Sequence, residues 1–285
     1  MFSRILPVLL ILALAVTACG VRVKLPVTAV PLEPEVTDQI LVPSPDTQQT
    51  PRLTLSFGAG DLKLSPGAGA NLVSGAATYN VPDFKPQITT DGADVRIEQG
   101  DYTITGIPTL KGIKNEWDLE LGSAPLELTI QAGAYDAEYE FGGLALTGLT
   151  IKDGASDVDL DFSSPNKAEM AILRYETGAS NVSMTGLANA NFTTLVLNSG
   201  AGNYTLDFSG DLQRSAAVTI ETGLSNLTLL IPEDVAAKVT VEGGLKNVNA
   251  GAGWAQSGDV YTQSASGPTL TIVVEIGAGN LNLSK

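Results

Sequence analysis

The sequence has no histidine, a single cysteine, Cys19, and few aromatic residues, 6% of 285. Without histidine and with one thiol, the chain cannot form an intramolecular disulfide, the common zinc sites, a Ser-His-Asp triad or a Cys-His pair. Basic residues are also scarce, because 16 Lys and Arg stand against 31 Asp and Glu, which gives a net charge of −15. That charge opposes binding to nucleic acid and favours solubility.

The first residues have the pattern of an export signal. Arg4 precedes an apolar run from Ile5 to Val16, and small residues follow. Residues 16–19, Val-Thr-Ala-Cys, match the lipobox of bacterial lipoproteins, in which the cysteine becomes the lipid-modified first residue. We therefore predict a signal peptide over residues 1–18 and acylation of Cys19, with palmitate among the acyl chains. The alternative is an ordinary export signal that ends in a chance cysteine.

Residues 19–50 are rich in proline, at positions 26, 31, 34, 43 and 45, and show little periodicity. This composition predicts a stiff, extended tether between the lipid and the folded part. The predicted location is extracytoplasmic, with the lipid on Cys19 anchoring the chain to a bacterial membrane at the cell surface or the outer membrane.

A repeating unit fills the rest of the chain. In residues 194–229, Leu195 and Leu197 precede Gly200, and Asn203 follows it at the third position. The same offsets recur around nine glycines: Gly58, Gly122, Gly133, Gly154, Gly178, Gly200, Gly223, Gly244 and Gly277. The third position holds an acid or an amide in every unit except the one with Pro125: Asp61, Asp136, Asp157, Asn181, Asn203, Asn226, Asn247 and Asn280. Since these residue types tolerate positive φ, we expect a fixed bend at each site.

Apolar and polar residues alternate on both sides of each bend, which is typical of half-buried strands. A strand-bend-strand unit with a near-constant period predicts an all-β, β-helix-like solenoid with coils of 21–24 residues. A β-sandwich of hairpins is the alternative. Stacked Asn side chains can hydrogen-bond from coil to coil. Stacked Asp would repel, so Asp61, Asp136 and Asp157 are expected to cap their own bends or to lie in less regular coils.

The two ends of the repeat region differ. Residues 65–117 depart from the period, which predicts an irregular N-terminal cap, with a ligand groove as the alternative. Regular coils then run over residues 117–283, and no capping segment follows them. An uncovered last coil is a pairing edge, so we predict end-to-end self-association or a cap donated from elsewhere in the fold.

Several stretches resemble bacterial toast-rack proteins: the Gly-Ala-Gly repeats, Tyr-Asn-Val-Pro at 79–82, Asn-Glu-Trp-Asp-Leu at 115–119 and Asp-Phe-Ser-Gly at 207–210. The C-terminal half is similar to adhesin and cell-wall-active-antibiotic-response domains. The resemblance implies a toast-rack-like β domain over residues 51–152 and adhesin-like solenoid repeats over 153–285, in an envelope-associated protein. It brings no catalytic residues. The response-type relatives usually follow several membrane spans, whereas a lipid anchor is predicted here.

Four acidic residues are weak candidates for a Ca²⁺ site. Asp157, Asp159 and Asp161 share one face of a strand at a spacing of about 7 Å, and Asp153 lies nearby. A solvated acidic face is the favoured interpretation. The same carboxylates have the spacing of a glycosidase pair, but no Arg or Lys lies beside them to bind an acidic sugar. We therefore predict no enzymatic activity and no cofactor.

The repeat places Trp117, Tyr139, Tyr175 and Tyr204 at inward offsets, whereas Trp254, in the loop 251–258, is predicted to be exposed and able to stack on a glycan. The sequence thus predicts a non-enzymatic cell-envelope lipoprotein that presents a rigid solenoid for adhesion or scaffolding. An envelope glycan or a surface protein is the expected partner. The alternatives are an accessory of the envelope-stress response to wall-active antibiotics and a polysaccharide-active enzyme.

Overall fold

The structure is a computed structural model and describes residues 27–29, 32–100, 107–109 and 112–285. The predicted signal peptide and Cys19 lie outside the described residues. The strands, in chain order, are β1 (Val27–Ala29), β2 (Val36–Pro43), β3 (Arg52–Pro66), β4 (Asn71–Tyr79), β5 (Pro86–Asp91), β6 (Asp94–Gln99), β7 (Ile107–Thr109), β8 (Asn115–Leu121), β9 (Leu126–Glu140), β10 (Leu146–Asp161), β11 (Met170–Thr185), β12 (Phe192–Asp207), β13 (Ala216–Leu230), β14 (Ala236–Ala250), β15 (Ala255–Ser257), β16 (Val260–Gln263) and β17 (Thr269–Ser284). Within the described ranges, two short 3-10 helices, Pro82–Phe84 and Leu187–Ala190, lie between strands. None of the described helices is long and apolar enough to cross a membrane.

Eight strands of 15 or 16 residues form the body of the molecule, and each contains one of the nine repeat glycines, all except Gly122. They pair in parallel in the order β3-β9-β10-β11-β12-β13-β17-β14. The register keeps equivalent residues opposite each other, so that Val218 lies between Leu195 of β12 and Ile272 of β17. Parallel stacking of bent strands confirms the predicted all-β solenoid. The hairpin sandwich is excluded for this part of the chain, because hairpins pair antiparallel strands.

Alternate residues of the long strands fill one interior. On β12, Leu195, Leu197 and Leu206 are fully buried, and a continuous apolar cluster extends from Ile40 to Leu283. Each strand buries its inner face only when its neighbours are in place, so the units stabilise one another as a stack. The four aromatic residues predicted to point inward are at most 2% exposed: Trp117, Tyr139, Tyr175 and Tyr204.

Eight of the nine repeat glycines lie in one straight column across the sheet, which we call the bend column: Gly58, Gly133, Gly154, Gly178, Gly200, Gly223, Gly277 and Gly244. The ninth glycine, Gly122, does not join this column, although the chain bends beside it at residues 123–124. That glycine follows β8, outside the column, and donates its N–H to the carbonyl of Leu72 at 3.0 Å.

The glycines of the bend column are required for space and not for positive φ. None of them has a positive φ, and neither does any Asn or Asp at the third position, so that expectation was wrong. A Cβ added at Gly178 would lie 2.5 Å from the carbonyl oxygen of Gly154, and one at Gly277 would lie 2.7 Å from that of Gly223. A side chain at either position would therefore push neighbouring strands apart. At Gly58 the nearest atom is instead in the flexible Gln99 side chain, at 2.9 Å, and at Gly244 the nearest carbonyl oxygen is 3.3 Å away.

Short strands cover the amino-terminal end of the stack. β6 pairs in parallel with the first half of β3 and β8 with its second half, while β4 and β2 continue the sheet antiparallel beyond β8. The tether predicted up to residue 50 is therefore wrong for Val36–Pro43, where Ile40 and Val42 are buried. The predicted domain boundary at 152/153 is also wrong, because it falls inside β10, through which sheet and core continue.

The carboxyl-terminal end has an order that differs from the chain order. β17 is inserted between β13 and β14, which leaves β14 as the last long strand. The antiparallel pair β15 and β16 covers the first half of β14, from Ala237 to Thr240. This pair supplies the predicted cap from elsewhere in the fold, but only for half of the strand, since residues 242–250 pair with β17 alone among the described strands. End-to-end association stays a prediction.

Candidate functional site

The third residue after each bend glycine points outward, and these residues form a second column beside the first. From β11 to β14 the column consists of five amides, Asn181, Asn203, Asn226, Asn280 and Asn247, which we call the amide ladder. From β8 to β10 it consists of four acids, Glu116, Asp61, Asp136 and Asp157, which we call the acidic column. Asp157 lies opposite Asn181, so the two segments are continuous.

The amide ladder is hydrogen-bonded along its length. Each Nδ2 donates to the Oδ1 of the neighbouring amide: Asn203 to Asn181 at 2.8 Å, Asn226 to Asn203 at 3.0 Å, Asn280 to Asn226 at 2.7 Å and Asn247 to Asn280 at 3.4 Å. The amides bond in the order of the strands in the sheet and not in the order of the chain, because β17 lies between β13 and β14. The three inner amides each use one donor and one acceptor in the ladder, whereas Asn181 at one end only accepts and Asn247 at the other only donates. The segment is uncharged.

The acidic column has the opposite character. The expectation that Asp61, Asp136 and Asp157 would avoid stacking is wrong, since they occupy adjacent strands in register. Their carboxylates make no hydrogen bond or ion pair with any described residue. Partial burial, together with the charges of Asp136 and Glu116, raises the pKa of Asp61 above its ordinary value. Like charges on adjacent strands repel, so this segment lowers the stability of the sheet.

A groove of 1370 Å³ runs across the bends of β3, β9, β10 and β11 beside the acidic column, and we call it the bend groove. Its floor consists of the small residues at the bends, at 58–60, 132–134, 155 and 179. The acidic column borders one side, and Lys152, which precedes the bend, lies on the other. Lys152 is held by Glu176 at 3.0 Å. The groove is therefore acidic on one side and apolar at its base.

The amino-terminal wall of the bend groove contains Phe84, Gln99, Ile113 and Asn115. Asn115 is 2% exposed and donates through Nδ2 to the carbonyl of Ala59 at 2.7 Å and to Gln99 Oε1 at 2.8 Å. Its Oδ1 has no hydrogen-bond partner. A buried acceptor without a partner costs about 1–3 kcal/mol, and this oxygen atom is itself buried beneath the wall of the groove.

The four residues proposed as a Ca²⁺ site do not converge. Asp153 turns towards the interior, where its Oδ2 accepts hydrogen bonds from Tyr175 at 2.7 Å, Ser156 at 3.0 Å and Tyr135 at 3.2 Å. The other three candidates, Asp157, Asp159 and Asp161, lie along the outer face. Among the described residues, no group of three or more His, Cys, Asp or Glu side chains is arranged to hold a metal ion.

The interior cluster around Asp153 is suited to structure and not to proton transfer. Burial, first of all, and the charge of Asp153 raise the pKa of Tyr135 and of Tyr175 far above the ordinary tyrosine value. Both hydroxyls therefore remain protonated donors at neutral pH. Asp153 accepts these hydrogen bonds, and the arrangement supplies no nucleophile with an adjacent base.

Trp254 does not lie where the sequence predicted. It is half-buried and packs against the apolar core, and its Nε1 lacks a hydrogen-bond partner. The prediction of an exposed glycan-stacking residue is wrong, because the loop folds back onto the end of the core. Sequence reasoning also missed Glu116 and Asn115, which have no repeat offset. The shared offset of the three aspartates was the available signal for the acidic column.

Comparison with known proteins gives one family and several similar folds. The sequence model of the family described as the N-terminal domain of toast_rack matches residues 32–174 and 169–230. Similar solved structures include a "putative cell adhesion protein" from Clostridium sporogenes, with 22% identity, a TM-score of 0.49 and coverage of 88% of this chain and 99% of that chain. A "putative adhesin" from Bacteroides fragilis has 10% identity and a TM-score of 0.41, with coverage of 90% and 99%. No curated protein gives a significant match. The two family ranges span more than half of the chain and include every strand that lines the bend groove.

Proposed function

This chain belongs to the family of the N-terminal domain of toast_rack, and from that premise we propose that it is a non-enzymatic lipoprotein of the bacterial cell envelope. It presents a rigid β-solenoid for adhesion or scaffolding at the cell surface. The lipid on Cys19 anchors it to the membrane, and the outer face of the sheet contacts a partner on the surface.

The observation that carries this proposal is the lateral face of the sheet. Eight long strands in register hold their outward side chains in straight columns. At about 4.8 Å between strands, the face extends for about 34 Å along the stack. The bend column keeps adjacent backbones in close contact, so the face is rigid before a partner binds. Pre-organised surfaces lose less entropy on binding, which suits an adhesive or scaffolding role.

The lipobox supports the anchor. Val-Thr-Ala-Cys at 16–19 follows an apolar run that begins after Arg4, and the cysteine is unique in the chain. Two or three acyl chains on one residue give stable membrane attachment, since each buried CH₂ contributes about 0.8 kcal/mol. A cysteine with no structural partner elsewhere in the sequence is suited to this modification.

The experiment is to express the full chain and the Cys19→Ala variant in a bacterial host with labelled palmitate. We expect only the wild-type chain to carry the label and to appear in the membrane fraction. External protease should digest the protein on intact cells. Cells that lack the protein should attach less to purified envelope material. The proposal is overturned if the wild-type chain stays unlabelled and soluble, or if purified protein turns over a panel of polysaccharides.

A further inference from the structure

We propose that two copies of this chain pair through the carboxyl-terminal ends of their stacks, about a two-fold axis. The segment that pairs is the second half of β14, residues 245–250, which we call the open half. Its partner is β15 of the other copy, so that each copy supplies the strand that the other lacks. The pairing continues the sheet and the apolar interior from one molecule into the next.

The two halves of β14 lie face to face across the interior. Residues 251–254 connect the end of β14 to β15, yet Ala255 of β15 lies over Lys238, near the start of β14. In a straight strand the two ends would be about 40 Å apart, whereas the connecting residues reach about 18 Å at most. β14 therefore folds back at its bend glycine, Gly244, and a two-fold axis through the bend exchanges its halves.

The inward side chains of the open half are still partly exposed. Val248 and Ala250 pack against the core but are only half-buried. Leu281 and Leu283, which lie beside them on β17, are at most 1% exposed. In the first half of β14, which β16 covers, Val239 is fully buried. Inward positions are thus buried wherever a further strand is present, and the open half lacks that strand.

The end of the stack has a step that fits a second copy of itself. Beyond β14, the strands β16 and β15 cover the first half, and no described strand covers the open half. A two-fold axis places the first half of one copy over the open half of the other, so two strands lie between the two β14 strands on both sides of the interior. Since β15 runs towards the bend and the open half runs away from it, the two strands meet antiparallel.

The amino-terminal end does not fit this step. There β6 and β5 cover the first half of β3, whereas β8, β4 and β2 cover the second half. A head-to-tail contact would place four strands over one half and three over the other, which leaves a gap of about 4.8 Å. The amino-terminal edges also carry residues that discourage pairing: Asp38 and Pro43 in β2, and Pro86 and Asp91 in β5. The structure therefore favours a closed dimer over a filament.

Charge and area are compatible with this dimer. The net charge of −15 makes two copies repel in general. The segments that would meet, 245–250 and 255–257, contain one charged residue, Lys246, and no proline. The end of the stack measures about 23 Å along each half and about 20 Å across two packed sheets, which gives about 500 Å² per copy and about 1000 Å² in total. That area is at the lower limit of specific interfaces and suits a reversible dimer.

The two-fold axis directs the amino-terminal ends of the two copies away from each other. Cys19 precedes β2, which lies at the amino-terminal end of the stack. Copies anchored in facing membranes can therefore pair end to end, which makes a second copy of the chain the partner for adhesion. This consequence rests on the function proposed above, whereas the pairing itself does not depend on the lipid.

The test is sedimentation of the full chain in a density-matched non-ionic detergent over a range of concentrations. Val248→Lys puts a charge on the inward face of the open half, where a free edge leaves it in water and a paired strand would bury it. The matched control Asn249→Lys adds the same charge at an exposed position of the same half. Gln256→Lys makes the inward change on β15, where Gln256 is exposed and lies opposite Tyr261.

We expect a reversible dimer for the wild type and for Asn249→Lys, and a dissociation constant raised by about tenfold or more in Val248→Lys and in Gln256→Lys. Leu41→Lys, at an exposed position of β2, should leave the dimer intact. Thermal melting shows that each variant folds. The proposal is overturned by a monomer at about 100 µM, by assemblies that grow beyond a dimer, by equal loss in Asn249→Lys or by loss in Leu41→Lys.

Vesicles that carry the lipidated chain should cluster, and vesicles that carry Val248→Lys should stay dispersed. A dimer in detergent without clustering of vesicles would overturn the adhesive consequence and leave the pairing. An intact dimer of a chain that carries no lipid on Cys19 would overturn the lipoprotein function alone. The pairing and the proposed function therefore fail separately.

Discussion

Gly178→Ala should destabilise the protein by about 3 kcal/mol, because the bend column has no room for a Cβ. Gly178 lies in β11, with Gly154 of β10 on one side and Gly200 of β12 on the other. The added Cβ would lie 2.5 Å from the carbonyl oxygen of Gly154, whereas ordinary contact begins near 3.4 Å. The strands would have to separate by about 1 Å at this point to remove the overlap.

The magnitude follows from what has to move. The obstacle is backbone, so it cannot turn aside as a flexible side chain would. Overpacking of this kind costs about 1–3 kcal/mol, and each backbone hydrogen bond lengthened beside it loses part of about 0.5–1.5 kcal/mol. Gly178 has no positive φ, so conformational strain adds nothing and the loss is steric.

A matched control is available on the neighbouring strand. At Gly148 of β10 the atom nearest to an added Cβ is Cγ of the flexible Glu127 side chain, at 3.4 Å, and φ is again not positive. Gly148→Ala should therefore be neutral or stabilise by about 0.4–1 kcal/mol through the unfolded state. Urea denaturation followed by circular dichroism gives both midpoints and slopes. If Gly178→Ala unfolds at the same urea concentration as Gly148→Ala, the steric explanation of the bend column is refuted.

Three further predictions concern single side chains. Asn226→Ala removes one donor and one acceptor from the amide ladder and should lower the free energy of unfolding by about 1 kcal/mol, measured by the urea midpoint; an unchanged midpoint would mean that the ladder adds no stability. Because its pKa is raised above 3.8 in the folded protein, Asp61 binds its proton more tightly there than in the unfolded chain. Its contribution to stability is therefore lost as the pH rises through the raised pKa of Asp61 in the folded protein. Asp61→Asn should be more stable than the wild type at neutral pH and equal to it in acid. Trp254→Ala should cost about 2 kcal/mol, because the substitution removes a partly buried indole ring that packs against the core. The fluorescence of the remaining Trp117 reports the unfolding, and no loss of stability would place Trp254 outside the core.

The regular part of the fold was predictable because every unit has the same pattern of apolar alternation and a bend glycine. In β12 the alternation of Leu195 and Leu197 with polar neighbours determines which face is buried, and Gly200 marks the bend. Identical offsets in neighbouring units then place equivalent residues side by side, since a shift of register by one residue would expose the apolar face. The straight bend column and the parallel stack follow from that constraint.

The order of the last strands was not predictable from the repeat. β14 and β17 both contain a bend glycine followed by an asparagine at the third position, Asn247 and Asn280, so either could follow β13. The choice depends on β15 and β16, which pair with the first half of β14 and so place it at the end. The local sequence of a strand does not determine which distant strand pairs with it.

The repeat pattern could not predict the bend groove for a similar reason. Its wall forms because β6 and β8 share the edge of β3, a long-range arrangement that brings Gln99 beside Asn115. The proline content of residues 26–45 also hid β2, although Ile40 and Val42 show the alternation of a strand. Composition outweighed a short periodic signal there, and tertiary pairing decided the result.

The acidic column is best understood by comparison with the amide ladder, which occupies the same offset in the same sheet. Asparagine fits that position on five strands, so the backbone does not require a carboxylate on β9 and β10. Replacing Asp136 and Asp157 by Asn removes like-charge repulsion and lets Asn181 donate into an extended ladder, which should stabilise the fold by about 1 kcal/mol. If D136N/D157N melts below the wild type, the carboxylates stabilise the fold, and the repulsion inferred for the acidic column is refuted.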